Sequence, residues 1–352
     1  MVGTEVLTII ATSLTFFSIY FILSLSLNLE YGFSGLPNFG KVFFFSLGAY
    51  VAGTFIPRIF QVLFNIQQPI CSANAATLRI YIAREEAIFI LILFLVSLII
   101  SIFLGSFVGY ILSYPSLKLR EDYLAISLLI VAEISRVFVR TEPNIICGSN
   151  GMGGIPNPFI WINDPIIAEL LYAITTIMIA TLSYIYVERL VNSPYGRVLK
   201  SIRDDELASK LLGKLVHRIK GEVLATASAL SAVAGCLYAF FIGFVYPDDF
   251  IIIWTMYAWL IILLGGLANN KGAILGSIVL VVIDRGLRFI ISSWLVYGLP
   301  FDISYLRGII FSLLLIIILL FRPKGILPEK PLKTIAIKIA EEYIKRTKIN
   351  NT

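Results

Sequence analysis

The chain has 352 residues, of which 58% are hydrophobic and 14% charged, whereas soluble domains carry about 25% charged residues. A mean hydropathy of +0.90 excludes an ordinary water-soluble globule and leaves a polytopic membrane protein. A net charge of +6 with a single histidine, His217, and three cysteines excludes a His-rich metal cage, and no cysteine pair has ligand spacing.

In chain order, the first apolar run covers about residues 6 to 29 and ends at Asn28 and Glu30. No Lys or Arg precedes it, so it lacks the basic start of a secretory signal and is read as a span. The next stretch, GLPNFGKV at 35–42, has the spacing of a phosphate-cradling loop. However, Val42 stands where a Mg²⁺-holding hydroxyl is required, and a long apolar run precedes the loop instead of a strand. A tight turn and close-packed helix entry is the better role. Further apolar runs follow at about 42–63, 87–113, 123–140, 164–187, 222–246, 251–268, 272–292 and 303–321. Backbone groups in lipid must be satisfied within their own segment, so each run predicts a helix. The expected fold class is an all-α polytopic membrane protein with about nine (8–10) transmembrane helices.

Charge gives the orientation. Residues 188–222 and 322–352 each hold eight of the 28 Lys and Arg, while the links 247–250 and 293–302 carry only Asp248, Asp249 and Asp302. Basic links stay in the cytoplasm, which places the N-terminus outside and the C-terminus inside. The link with Lys118 and Arg120 then falls inside and the Gly-rich link 141–163 outside. Because the basic runs flank spans and lack an aromatic platform, no nucleic-acid partner is expected. Cys71 and Cys147 both fall on outer links and could form a disulfide, but nothing in their spacing enforces proximity, so two unpaired residues is the favoured reading.

Charges inside spans are costly and mark candidate sites. Glu133 and Arg136 lie three apart, and Asp284 and Arg288 four apart, so each pair can meet on one helix face. Each pair either neutralises itself and joins helices or lines the path of a charged or zwitterionic solute. The link CGSNGMGGIPNP at 147–158, with Gly151, Gly153 and Gly154, is not regular helix; it is either a flexible surface link or part of a path. The inner loop reads SPYGRVLKSIRDDELASKLLGKLVHRIK at 193–220. In it Asp204 or Asp205 can cap a short helix, Glu206 suits its first turn, Leu207, Leu211 and Leu212 offer apolar surface, and Gly213 can end it. GLPN at 35–38 is faintly echoed by GLAN at 266–269, each before a small-residue helix start.

With this loop the sequence resembles the permease subunit of bacterial and archaeal branched-chain amino acid ABC importers. Matching pieces occur in order: LREDYLAI at 119–126, EISR at 133–136, GSNGMGGIP at 148–156, LLGGLANNKGAILGS at 263–277 and FRPKGIL at 321–327. The chain departs from the family pattern at Glu121, where a glycine is usual. The resemblance implies a transmembrane permease domain over 1–330, a cytoplasmic coupling loop over 188–221 within it, and a basic cytoplasmic tail over 331–352. It also implies a plasma-membrane transport subunit that is not an enzyme and binds no cofactor. ATP and Mg²⁺ would belong to two ATP-binding partner subunits, alongside a second related permease, an extracytoplasmic solute-binding protein, an amino-acid substrate and membrane lipid. Coupling to the ATPase would fall on Asp205, Glu206, Leu207, Ala208, Leu211, Leu212 and Gly213. Urea or short amides are the alternative cargo. A stand-alone secondary carrier would instead need a mid-membrane coupling acid such as Glu133 or Asp284.

Overall fold

The structure, a computed structural model, describes residues 2–116, 119–294, 303–322 and 324–329. The expected outer link with Asp302 and the tail 331–352 therefore lie outside the described residues, as does Lys118. The helices in chain order are α1 (Val2–Leu27), α2 (Lys41–Leu63), α3 (Ala73–Glu85), α4 (Ala87–Ser116), α5 (Glu121–Thr141), α6 (Pro143–Ile146), α7 (Pro165–Asn192), α8 (Pro194–Asp204), α9 (Glu206–Leu211), α10 (Val216–Ile242), α11 (Ile253–Gly265), α12 (Asn270–Trp294) and α13 (Ile303–Phe321). A π-helical turn, Asn28–Phe33, continues α1. Every one of the nine expected runs coincides with a helix. Among the described residues, six helical segments are long and apolar enough to cross a membrane by length and composition: Val6–Phe33, Lys41–Leu63, Ala87–Pro115, Pro165–Asn192, Val216–Ile242 and Pro247–Gly265. The protein is an all-α polytopic membrane fold. In α5 the charged residues of EISR, and in α12 Asp284 and Arg285, interrupt the apolar character.

The centre of the bundle is α10, packed against α1, α2 and α4. Its sequence ATASALSAVAG over 225–235 explains this position. Lipid tails are as apolar as leucine, so helices associate in a bilayer through close packing, and small residues let backbones approach. A Cβ built on Gly235 would lie 1.7 Å from the Phe45 carbonyl oxygen, and one on Gly48 would lie 1.8 Å from that of Ala232. On the other side, Gly105 and Gly109 of α4 make room for the Ala232 and Ser228 side chains, whose Cβ atoms would lie 2.7 and 2.6 Å from a Cβ at those glycines. Few interhelical hydrogen bonds reinforce this seam: Ser26 meets Ser231 at 2.9 Å, and the Tyr172 hydroxyl donates to the Leu237 carbonyl at 2.6 Å.

The end of the bundle assigned outside by charge carries a cap whose helix, α3, is absent from the sequence reading. That segment, ANAATLRIYIARE, has no long apolar run, so a search for spans passes over it; Ser72 caps it by accepting from the Ala75 amide. The Arg79 side chain is buried among outer links and donates to the carbonyls of Ile70 at 3.1 Å and Gly153 at 2.8 Å; burial pushes its pKa down to about 10. The Gly-rich link is likewise built in. Its strand β1 (Met152–Gly153) pairs antiparallel with β2 (Phe244–Val245), and Gly154 (φ +74°) presses on Ala76.

This cap corrects the expectation that the outer cysteines are unpaired: Cys71 and Cys147 form a disulfide. Sequence separation hid the pairing, because α3 and the docked Gly-rich link bring two distant links together.

Gly235 gives the first test. Gly235→Val would force a side chain into the α2 backbone, beyond the 1–3 kcal/mol or so of ordinary overpacking. Yield of monodisperse protein in detergent and its thermal midpoint are expected to fall sharply, whereas Gly286→Ala, whose Cβ meets open space, should leave both unchanged.

Candidate functional site

Two polar regions stand out at the end assigned inside. The first is buried. Glu30, on the π-helical turn, and Lys41, the first residue of α2, form an ion pair at 2.9 Å with both side chains fully buried. Asn38 donates to the second Glu30 oxygen at 3.1 Å, and its own carbonyl accepts from the Trp259 indole at 3.3 Å. Asn28 donates to Asn270 at 3.0 Å and accepts from the Ala268 amide at 3.0 Å; Asn270 in turn donates to Glu188 of α7 at 2.8 Å. The two GL-x-N turns, 35–38 and 266–269, thus both hydrogen-bond to the π-helical turn. π-helical turns are uncommon and often mark functional sites. Neither residue is a candidate from the sequence, because both lie in a link and nothing in a single sequence says that this link is buried. The available signal was Glu30 at the end of a span and Lys41 at the start of the next, eleven residues apart on the same side. Lys41, the residue that suggested a phosphate loop, is committed to Glu30.

The second region is the exposed inner loop. Ser193 caps α8 by accepting from the Tyr195 amide at 3.2 Å. Asp205, in extended conformation, breaks the chain after α8 and caps α9 by accepting from the Ala208 amide at 2.9 Å. Gly213 (φ +77°) turns the chain out of α9. The α8 face bearing Gly196, Leu199 and Ile202 is buried. Glu206 anchors α9 through Lys210 at 2.7 Å and Lys220 at 2.6 Å. Partial burial opposes its charge, but those two ammonium groups outweigh burial and hold its carboxyl below the usual range. This anchoring is therefore complete above the ordinary carboxylate pKa and is lost as pH falls through the lowered value. The apolar side chains around it point away from the body: Leu207, Leu211, Leu212 and Leu215 are 70, 81, 79 and 68% exposed, and Ala208 is exposed. Leu215 is a member of this patch that the sequence reading did not include.

The charged residues within spans divide. Arg136 pairs with Glu133 and also with Asp248 of the link before α11, and Arg140 reaches Asp248 at 3.6 Å. The pair therefore joins α5 to that link. Gly151, Gly153 and Gly154 lie in the cap at the same end. Asp284 is buried in α12 and lies 4.0 Å from the neighbouring Arg285, whose guanidinium sits 3.8 Å over the Phe16 ring. The side chain of Arg288 lies outside the described residues.

Residues 9–319 match the family model described as the permease component of a branched-chain amino acid transport system. The chain belongs to this branched-chain amino acid transport permease family. It is 35% identical over 337 residues to a probable branched-chain amino acid transport permease protein, LivM, of Methanocaldococcus jannaschii, covering 94% of this chain and 96% of that one. It is 28% identical over 332 residues to the LivM permease protein of the high-affinity branched-chain amino acid transport system of Escherichia coli, covering 88% and 68% respectively. No solved structure matches. In this permease family member a buried polar knot ties the ends of α1, α2 and α12 together, and a separate leucine patch stands exposed beside it.

Removing one partner of a buried ion pair leaves an uncompensated charge, at a cost of roughly 3–5 kcal/mol. Glu30→Gln and Lys41→Met alone are each expected to depress the detergent thermal midpoint strongly, and the double variant to recover much of the loss; a double-mutant cycle on melting temperature reads this directly. Glu133 is more than half exposed and Arg136 keeps Asp248, so Glu133→Gln should cost at most about 1 kcal/mol on the same assay.

Proposed function

We propose that this permease is the membrane subunit of an ATP-binding-cassette importer for branched-chain or related amino acids, driven by ATP hydrolysed on two partner subunits at its inner face. The observation that carries the proposal is α9, a capped helix whose four leucines, two within it and two just after, stand exposed on one short anchored element. Each leucine removed from water contributes about 2 kcal/mol before association costs, enough for a reversible dock. Hydrolysis in another subunit can move this chain only through a contact that differs between states, and a short anchored helix is suited to transmit it.

In this reading the coupling residues are Asp205, Glu206, Leu207, Ala208, Leu211, Leu212 and Gly213, joined by Leu215. The N-terminus lies outside and the C-terminus in the cytoplasm of the plasma membrane. The position of the disulfide and of the strand pairing at the opposite end from α9 supports this orientation, because disulfides persist on the oxidising side. The disulfide-bonded cap, with Gly151, Gly153, Gly154, Glu133 and Arg136, would receive an extracytoplasmic solute-binding protein. Asp284, with Arg288 on the same helix, would border the solute path, which a second related permease completes.

Leu211→Ser with Leu212→Ser is expected to leave the permease inserted and monodisperse, yet to abolish co-purification of the ATP-binding subunits and ATP-dependent uptake of labelled leucine. Retention of both at wild-type levels would remove α9 from the coupling role.

A further inference from the structure

Among the contacts that tie the α8–α9 pair to the spanning body, one side chain serves three segments. Arg203, near the end of α8, rests its stem on Gly35, where a Cβ would stand 3.2 Å from its Cγ; Gly35 has φ +72°, so a side chain is disfavoured there on both counts. Arg203 Nη1 donates to the carbonyl oxygen of Gly32 at 2.6 Å and pairs with Glu329 at 2.9 Å. One turn earlier on the same helix, Lys200 also binds Glu329 at 2.9 Å and lies 5.5 Å over the Phe33 ring.

Each end of this clasp is fixed to something that matters. Gly32 belongs to the π-helical turn and has no slack: a Cβ there would stand 2.3 Å from Asn28 Oδ1 and 2.7 Å from the Ala268 nitrogen. A displacement of Gly32 therefore displaces the Asn28 network between α1 and α12. Glu329 lies in a strap that includes residues 324–329 and runs along the end of α11: the Ile326 and Leu327 amides donate to the carbonyls of Leu264 and Gly265 at 2.9 and 2.8 Å. Charge-assisted hydrogen bonds are directional and about twice as strong as neutral ones. A planar guanidinium serves a carbonyl and a carboxylate together, whereas an ammonium acts as a point charge.

We propose that Arg203, held by Glu329, is the positioning residue that carries displacement of the α8–α9 pair to the π-helical end of α1 and, through the strap, to α11. This rests on α9 being the dock for the ATP-binding subunits. The test uses the complete importer, with its ATP-binding subunits and binding protein, in proteoliposomes. Arg203→Ala, Arg203→Lys and Glu329→Gln are compared by co-purification of the ATP-binding subunits, ATP hydrolysis and uptake of labelled leucine. In Arg203→Ala the ratio of leucine taken up to ATP hydrolysed is expected to fall by about tenfold or more, the scale of one charge-assisted hydrogen bond. Co-purification should persist. Arg203→Lys should be intermediate, and Glu329→Gln, which weakens the clasp but leaves the Gly32 bond in place, should lower the ratio about threefold. A purely structural role would lower yield and melting temperature with the ratio unchanged, and an unchanged ratio overturns the proposal. Should Arg203→Ala fail to assemble, Glu329→Gln decides by the same ratio. Failure of the docking reading is distinguishable, because it shows as retained co-purification in the Leu211→Ser, Leu212→Ser variant.

Discussion

The end of the bundle that carries α8 and α9 is organised by the buried Glu30–Lys41 ion pair. Two full charges removed from water are tolerable only when they satisfy each other and their remaining hydrogen-bonding capacity is met nearby. Asn38 meets part of that need, and the turn carrying Asn38 is in turn held by Trp259. The pair thereby fixes how α1 ends, where α2 begins and how the intervening turn lies against α11. The Asn28–Asn270–Glu188 chain extends the same polar network to α12 and α7. Apolar packing alone would let these helices slide, since one apolar contact in a membrane resembles another; hydrogen-bonded charges specify one register.

The leucine patch of α9 acquires its meaning from this neighbour. Helix α8 lies between the two, buried on one side through Leu199 and Ile202 and tied to the π-helical turn through Arg203. An exposed apolar patch on a floppy loop could bind a partner without moving anything. Here the patch is capped at Asp205, pinned by Glu206 to Lys220 at the start of α10, and joined to the ends of α1 and α11.

Much of this was legible in the sequence. Continuous apolar runs determine spans, because a bilayer offers the backbone no other partner, and the caps at Asp205 and Gly213 are local chemistry readable from neighbouring residues. The family resemblance carried by LREDYLAI, EISR and LLGGLANNKGAILGS agreed with the family match. What was not legible depends on contacts between distant residues. Helix α3 has mixed composition and no apolar period to announce it, so the proximity of Cys71 and Cys147 could not be inferred. Glu30 and Lys41 looked like link residues because nothing in a single sequence says that a link is buried. Arg136 was paired correctly with Glu133, but its bond to Asp248 joins residues 112 apart.

The backbone contact between α2 and α10 has a mechanical consequence. Where Gly48 and Gly235 set main chain against main chain, there are no side chains to re-pack as the helices slide. Shear between packed helices works by small side-chain adjustments. A contact without them resists shear, so α2 and α10 hold one register where those two glycines meet the facing main chain.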